Sequence, residues 1–158
     1  MTYLTDVIQR NNIQNDISVL DDLLNIIASG IGALTNPTKL ENTFASVKHK
    51  KVSDSTISKY LSDFIDAFIL RKANQYDIKG KKYINTPLKY YFTDVGLRNA
   101  QLNFRQQEET HLMENVIYNE LCIRGFNVDV GVVEYNHKDE DGKSKRAKLE
   151  VDFVANKG

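Results

Sequence analysis

Residues 69–92 read ILRKANQYDIKGKKYINTPLKYYF, and this stretch decides the fold. Residues 69–77 and 82–92 are rich in β-branched, aromatic and alternating apolar positions, so each is predicted to form a strand. The polar residues between them form the turn, where Gly80 is free to take a positive φ. Pro87 cannot donate to a ladder, so the second strand is expected to be an edge or to bulge there. The stretch therefore predicts a β-hairpin.

Upstream of the hairpin, three segments have helical spacing. Ser18 is the expected N-cap of the first helix and Gly30 ends it. Asn36 and Pro37 begin the second helix as cap and first residue, and Ser53 begins the third. The residues of this region that are expected to share one core are Leu24, Ile27, Phe44, Ile57, Leu61, Phe64 and Phe68.

Three helices followed by a hairpin are typical of a winged helix-turn-helix domain. We therefore predict such a domain over residues 1–93. Its first part, residues 1–17, is polar and weakly patterned and is expected to be an arm.

Residues 94–158 have a different pattern. Residues 108–124 form a strong helix whose apolar residues cover a wide arc, which predicts burial. Two strands follow, at 126–135 and 148–155. One helix and two strands are too few to make a stable domain alone, so we expect the N-terminal part of a truncated domain. The apolar residues of the helix are Leu112, Met113, Val116, Ile117, Leu121 and Ile123.

Five segments in order resemble the region after the ATPase module in a family of prokaryotic AAA-type ATPases. They are SDSTISKYL (53–61), YDIKGKKY (76–83), KYYFTDVGLRN (89–99), HLMENVIYNEL (111–121) and EVDFV (150–154). The resemblance covers essentially the whole chain. It implies an α+β protein: a three-helix winged helix-turn-helix followed by a truncated α/β restriction-endonuclease-like domain of the PD-(D/E)xK type. It also implies an ATPase domain preceding this chain, which would hold the ATP.

Three carboxylates in the second half suggest a metal site. Glu150 and Asp152 are two residues apart on a strand and so share a face, and Glu114 on the preceding helix could approach them. The resemblance matches Asp152 to the family's motif aspartate and Glu114 to its helix glutamate. Magnesium is the ion expected at such a cluster, whereas the alternative is that the carboxylates are solvated or salt-bridged. The motif's lysine strand would lie after Gly158, so no catalytic residue is assigned.

Two groups of lysines are candidate contacts to double-stranded DNA, because phosphates attract exposed cations regardless of sequence. Lys48, Lys50, Lys51 and Lys59 lie near or on the third helix. Lys79, Lys81 and Lys82 lie at the tip of the predicted wing. Three aspartates on the third helix, Asp54, Asp63 and Asp66, would repel DNA and favour a protein-binding role instead.

Composition limits the remaining functions. Lys and Arg number 21 and Asp and Glu number 21, so the net charge is zero and wholesale polyanion binding is disfavoured. The single cysteine, Cys122, cannot form an internal disulfide, and neither a signal peptide nor a bilayer-length apolar run is present. We expect a cytoplasmic protein without membrane contact. Gly142 to Ser144 spells Gly-Lys-Ser, but a phosphate-binding loop needs glycine where His137 stands.

The expected function is a non-catalytic fragment of a prokaryotic AAA-type ATPase, a winged-helix module joined to an incomplete nuclease-like domain. One alternative is a metal-dependent DNA nuclease lacking its last motif, and another is a free-standing winged-helix transcription regulator. Expected partners are double-stranded DNA, the ATPase domain, and a second copy paired through the open sheet edge at 148–155.

Overall fold

The computed structural model describes residue 9 and residues 17–105, 108–138 and 142–157. The predicted arm therefore lies almost wholly outside the described residues. Within them the protein is a mixed α+β structure, and no helix is long and apolar enough to cross a membrane.

Helices form the first part of the chain. They are α1 (Ile17–Ser29), α2 (Pro37–Thr43), a π-helical turn (Phe44–Lys48) and α3 (Asp54–Asp66). The Asn36 carbonyl oxygen Oδ1 accepts from the Lys39 N–H at 2.7 Å, so the predicted cap of α2 is confirmed. Ser53 caps α3 in the same way, accepting from the Thr56 N–H at 3.3 Å. Ser18, in contrast, lies inside α1, so its prediction as an N-cap was wrong.

The remaining elements of the described chain are two strands, two helices and two further strands. They are β1 (Leu70–Asp77), β2 (Lys82–Phe92), α4 (Val95–Gln101), α5 (Glu109–Ile123), β3 (Asn127–Lys138) and β4 (Ser144–Asn156). The two C-terminal strands are longer than the sequence pattern indicated, because they continue through polar residues up to the β3–β4 turn.

One four-stranded sheet, in the order β2-β1-β3-β4, joins the two halves of the described chain. β1 pairs antiparallel with β2, and β3 pairs antiparallel with β4. The junction is parallel: Gln75 lies beside Val130 and Asp77 beside Val132. The hairpin of the first half thus shares hydrogen bonds with the second half, across the predicted boundary at residue 93.

β2 is an edge strand and is bulged near Pro87, as its sequence predicted. Pairing with β1 is interrupted between Ile84 and Lys89. The loop between α1 and α2 takes over there, because Thr35 and Leu88 exchange both backbone hydrogen bonds at 2.8 Å. The displaced part of β2 therefore keeps its backbone bonds by pairing with the helical part of the chain.

The β1–β2 turn differs from its prediction. Lys81, not Gly80, takes the positive φ, at 52°. Gly80 is needed for another reason: a Cβ there would meet the Asp77 carboxylate at 2.2 Å. That carboxylate accepts the Gly80 N–H at 2.9 Å and so closes the turn.

A continuous core links the helices with the sheet, and six of the seven predicted core residues are buried in it. The seventh, Phe68, is 78% exposed, because the chain turns there with a φ of 57° and directs the ring outward. The predicted burial of the long helix α5 was also wrong. Its buried residues are Asn115 and Tyr118, whereas its exposed apolar residues are Met113, Val116, Ile117 and Ile123.

Candidate functional site

Lys89 of β2 is the centre of a buried charged cluster. Its ammonium lies 2.8 Å from Glu114 Oε1 of α5 and 2.6 Å from Glu150 Oε1 of β4. Tyr91, two residues along β2, donates its hydroxyl to the same Glu114 oxygen at 2.6 Å. The Lys89 side chain is 3% exposed, compared with 15% for Glu114 and 35% for Glu150. Three elements distant in sequence therefore meet at one ammonium group, which we call the Lys89 cluster.

Asn115 fixes the helix that carries Glu114. Its Oδ1 accepts from the Phe92 N–H at 2.9 Å, and its Nδ2 donates to the Phe92 carbonyl at 2.7 Å. Asn119, one turn further along α5, donates to the same carbonyl at 2.8 Å. A buried amide that satisfies a backbone donor and acceptor together holds α5 in register with the end of β2.

Gly32, in the loop between α1 and α2, lies directly against Glu114. A Cβ at this residue would meet Glu114 Oε2 at 3.0 Å, and the backbone φ is +74°. Both observations favour glycine at this position. The helical part of the chain thus contacts the same carboxylate that Lys89 and Tyr91 bind.

The electrostatics fix the protonation states in the cluster. Burial by itself lowers the pKa of Lys89, but the hydrogen bonds and charges of Glu114 and Glu150 outweigh it and raise that pKa above its usual value. Burial, together with the Glu114 carboxylate, raises the pKa of the Tyr91 hydroxyl far above its usual range. At neutral pH, Lys89 is therefore charged and Tyr91 is a neutral donor.

Gln75 and Lys148 extend the polar region across the sheet. The Lys148 ammonium donates to Gln75 Oε1 at 2.9 Å, joining β4 to β1. Gln75 is fully buried, and its Nε2 has no hydrogen-bond partner among the described residues. Gln75 pairs with Val130 of β3, which lies in the core between the helices and the sheet, so the Gln75 side chain lies on the helix-facing side.

Asp152, the third predicted carboxylate, lies in a bulge of β4. Val151 pairs with Gly131 and Val154 with Asp129, so Asp152 and Phe153 both oppose a single residue of β3. Strict alternation would place Phe153 and Glu150 on opposite faces of the sheet. The Phe153 ring nevertheless contacts the rings of Tyr91 and Tyr118 on the helix-facing side. The bulge therefore breaks the two-residue alternation on which the grouping of Glu150 with Asp152 was based.

The residues at Glu114 and Glu150 do not fit a magnesium ion while Lys89 is in this position. The ammonium already occupies the space that both carboxylates face, and Asp152 is exposed. Across the ranges that the structure describes, no group of three or more His, Cys, Asp or Glu side chains is placed to hold a metal ion. Glu114 and Glu150 are each salt-bridged to Lys89 in this arrangement.

The lysines near α3 fall into two classes. Lys48 and Lys50 both bind Asp22 of α1, at 2.7 and 2.6 Å, and their hydrogen bonds lower the pKa of that carboxyl. These two cations therefore connect the π-helical turn and its following loop to α1. Lys51 and Lys59 are exposed on the surface.

The wing-tip lysines Lys79, Lys81 and Lys82 are all exposed. Their turn does not project freely, because the Ile78 N–H donates to the Val132 carbonyl of β3 at 2.9 Å. A cavity of about 430 Å³ lies between the turn and the β3–β4 hairpin, with Lys79 and Arg146 in its lining. The wing tip and the C-terminal hairpin consequently form one continuous surface.

Sequence reasoning missed Lys89, Tyr91 and Asn115. One signal was available for Lys89: it is the charged residue in the otherwise apolar stretch 88–92, and a buried lysine requires a partner of opposite charge. Asn115 interrupts the apolar pattern of α5 in the same way.

A family profile described as "Domain of unknown function (DUF8612)" matches residues 1–108. This match covers more than half of the chain. The chain belongs to the DUF8612 family. The matched region of this DUF8612 protein ends directly before α5, which begins at Glu109.

Two relatives of the DUF8612 protein extend the likeness through its second half. An uncharacterized protein of Haemophilus influenzae is 36% identical over 154 residues, which are 98% of this chain and 35% of the relative. An uncharacterized protein of Methanocaldococcus jannaschii is 30% identical over 157 residues, which are 96% of this chain and 31% of the relative. The chain thus spans about a third of the length of these relatives. No solved structure matches it.

Proposed function

We propose that this DUF8612 protein is a non-catalytic binding module of a prokaryotic AAA-type ATPase. In this proposal a winged helix contacts double-stranded DNA and is joined rigidly to a nuclease-like helix and hairpin. The observation that carries it is the Lys89 cluster: a lysine of the wing strand β2 neutralises carboxylates of α5 and β4. The carboxylates that could have bound a catalytic ion instead hold the two parts together.

Three observations support the separate parts of this proposal. The order of three helices and a hairpin, with the Thr35–Leu88 bridge beside the hairpin, supports the winged-helix part of the proposal. The relatives are about three times as long as this chain, which leaves room for an ATPase domain in them. Gly142 and Lys143 lead directly into β4 rather than into a helix, so ATP would bind elsewhere in such a protein.

The wing is the better candidate than α3 for DNA contact. Lys48 and Lys50 are already paired with Asp22, whereas Lys79, Lys81 and Lys82 are exposed on one turn. α3 also carries two exposed aspartates, Asp54 and Asp66, which would repel phosphates. We therefore expect weak, sequence-independent binding through the turn.

This proposal is tested by the salt dependence of duplex binding, measured by fluorescence anisotropy. Replacing Lys79, Lys81 and Lys82 by alanine should weaken binding and lower the log–log salt slope by about one unit per lost phosphate contact. The matched control replaces the exposed Lys39, Lys72 and Lys157 by alanine, which removes the same charge from other surfaces. The control should change the slope much less.

Two outcomes would contradict this part of the proposal. If both triple variants behave alike, the wing has no special role and binding reflects overall charge. If the unaltered chain does not bind duplex even at low salt, a protein partner replaces DNA as the target of the module.

The rival function, a metal-dependent nuclease, is favoured by one observation: the chain brings Glu114 and Glu150 to a common cation. Under the non-catalytic proposal, the purified chain does not cleave DNA in magnesium. Magnesium-dependent cleavage that disappears in Asp152→Ala would establish the nuclease instead.

A further inference from the structure

In the Lys89 cluster, carboxylate oxygens from two elements contact one positive charge. Two carboxylates from α5 and β4 approach one positive centre at 2.8 and 2.6 Å, the lengths of charge-assisted hydrogen bonds. The centre is supplied by the protein itself, from a third element, β2. Such a lysine is costly to bury, and its contacts with the two carboxylates offset that cost.

The surroundings leave the ammonium little freedom. Tyr91 occupies a further lone pair of Glu114, and Gly32 approaches the second Glu114 oxygen closely enough that a methyl group would crowd it. The buried amide of Gln75 lies on the same side of the sheet and has an Nε2 without a partner among the described residues. An additional cation would have to displace Lys89, since the carboxylates already face it.

We propose that Lys89 is the resident cation of this cluster, so that its ammonium and a divalent cation exclude each other at Glu114 and Glu150. The inference rests on the proposed non-catalytic function and gives it a cause: the wing strand itself blocks the ion. A divalent ion binds only when the β2 lysine is withdrawn or removed. Because the test needs neither DNA nor cleavage, its failure is distinguishable from failure of DNA contact.

Terbium luminescence provides the test, because Tb³⁺ prefers carboxylate oxygens and is sensitised by a nearby tyrosine, here Tyr91. In the unaltered chain, emission should show no saturable component that depends on Glu114. Lys89→Met keeps the apolar stem but removes the charge, and should gain a site that binds Tb³⁺ at least about tenfold more tightly, because two unneutralised carboxylates then repel each other. Magnesium added in excess should quench this emission by competition.

Two controls identify the site. Lys89→Met combined with Glu114→Gln should lose the gained emission, because one of the two anionic ligands is gone. Lys72→Met, at an exposed lysine of β1, should leave emission unchanged. If Lys89→Met folds and gains no site, the proposal is overturned. It is equally overturned if the unaltered chain binds Mg²⁺ or Tb³⁺ in a way that Glu114→Gln abolishes.

A variant that does not fold on its own still gives an answer. If a divalent ion takes the place of the Lys89 ammonium, it binds the folded state alone and stabilises it. Magnesium should therefore restore the circular dichroism spectrum of a Lys89→Met chain that is unfolded without it. Absence of rescue at millimolar magnesium, compared with sodium at equal ionic strength, would contradict the proposal.

Discussion

Single buried polar residues hold the elements of this protein together. Asn115 binds both backbone groups of Phe92, and Arg98, which is fully buried, donates from Nε to the Ala28 carbonyl at 2.9 Å. Burial lowers the pKa of Arg98, although the group stays charged at any ordinary pH. Each such residue connects a helix to a backbone group that would otherwise be unpaired near a helix or strand end.

Asp63 in α3 gives a prediction at this scale. It is buried, and its Oδ2 has no hydrogen-bond partner among the described residues. Burial raises the pKa of its carboxyl, with Lys59 opposing the rise and Asp66 adding to it. Since the folded pKa exceeds the unfolded value, the contribution of this carboxyl to stability is fully present below about pH 3.8 and is lost as the pH rises through the folded pKa. Asp63→Asn should therefore stabilise the protein by about 1 kcal/mol at pH 7.

Thermal unfolding at a series of pH values measures this effect. The gain from Asp63→Asn should shrink as the pH falls towards the ordinary aspartate value, because the wild-type carboxyl is then protonated in both states. Asp152→Asn, at an exposed position of β4 away from Asp63, is the control and should change stability little. A destabilised Asp63→Asn at neutral pH would show that the carboxylate has a partner that stabilises its charge.

Of the two edge strands of the sheet, β2 is paired in part with Thr35, and β4 has no strand on its outer side among the described residues. It is the last strand in the sheet order, and Leu149 and Val151 are exposed along it. An open, partly apolar edge is a template for another strand. The exposed face of α5, with Met113, Val116 and Ile117, is a second apolar surface.

We predict concentration-dependent self-association through the β4 edge, detectable by sedimentation velocity. Leu149→Lys should weaken it, because a charge on an edge strand disfavours strand pairing. Val116→Lys, which places the same charge on exposed α5, should leave it unchanged. The opposite pattern, or a monomer at all concentrations, would rule out association through the β4 edge.

At the scale of the whole molecule, the sheet makes the two halves one cooperative unit. β3 pairs in parallel with β1, and Val130, fully buried, lies in the same core as Leu61 of α3. We predict a single unfolding transition in which Leu61→Ala costs about 2–5 kcal/mol and Val130→Ala lowers the same midpoint. Tyrosine fluorescence and hydrogen exchange should report coincident midpoints. Two separate transitions, with each variant affecting one, would contradict this.

Local features were the most predictable from sequence. Asn36 caps α2 and residues 82–92 form β2 because short-range chemistry decides both. The parallel pairing of β1 with β3 was not predictable, since no periodicity states which strand lies beside which. The orientation of α5 was predicted wrongly for a related reason. Its buried side is determined by Asn115 and Tyr118, which bind backbone groups of the sheet, and not by its apolar arc. Glu114 was singled out by the family resemblance and Glu150 by its spacing from Asp152, but their lysine comes from a distant strand.

The parallel pairing also has a consequence for synthesis on the ribosome. Gln75 of β1 can pair with β3 only after Val130 has been synthesised. The edge of β1 that faces β3 is therefore unpaired while the following helices are still being made. During that interval the nascent chain presents a strand that a neighbouring polypeptide could cover. Translation speed between β2 and β3 should therefore influence how much of the newly made chain reaches its native state.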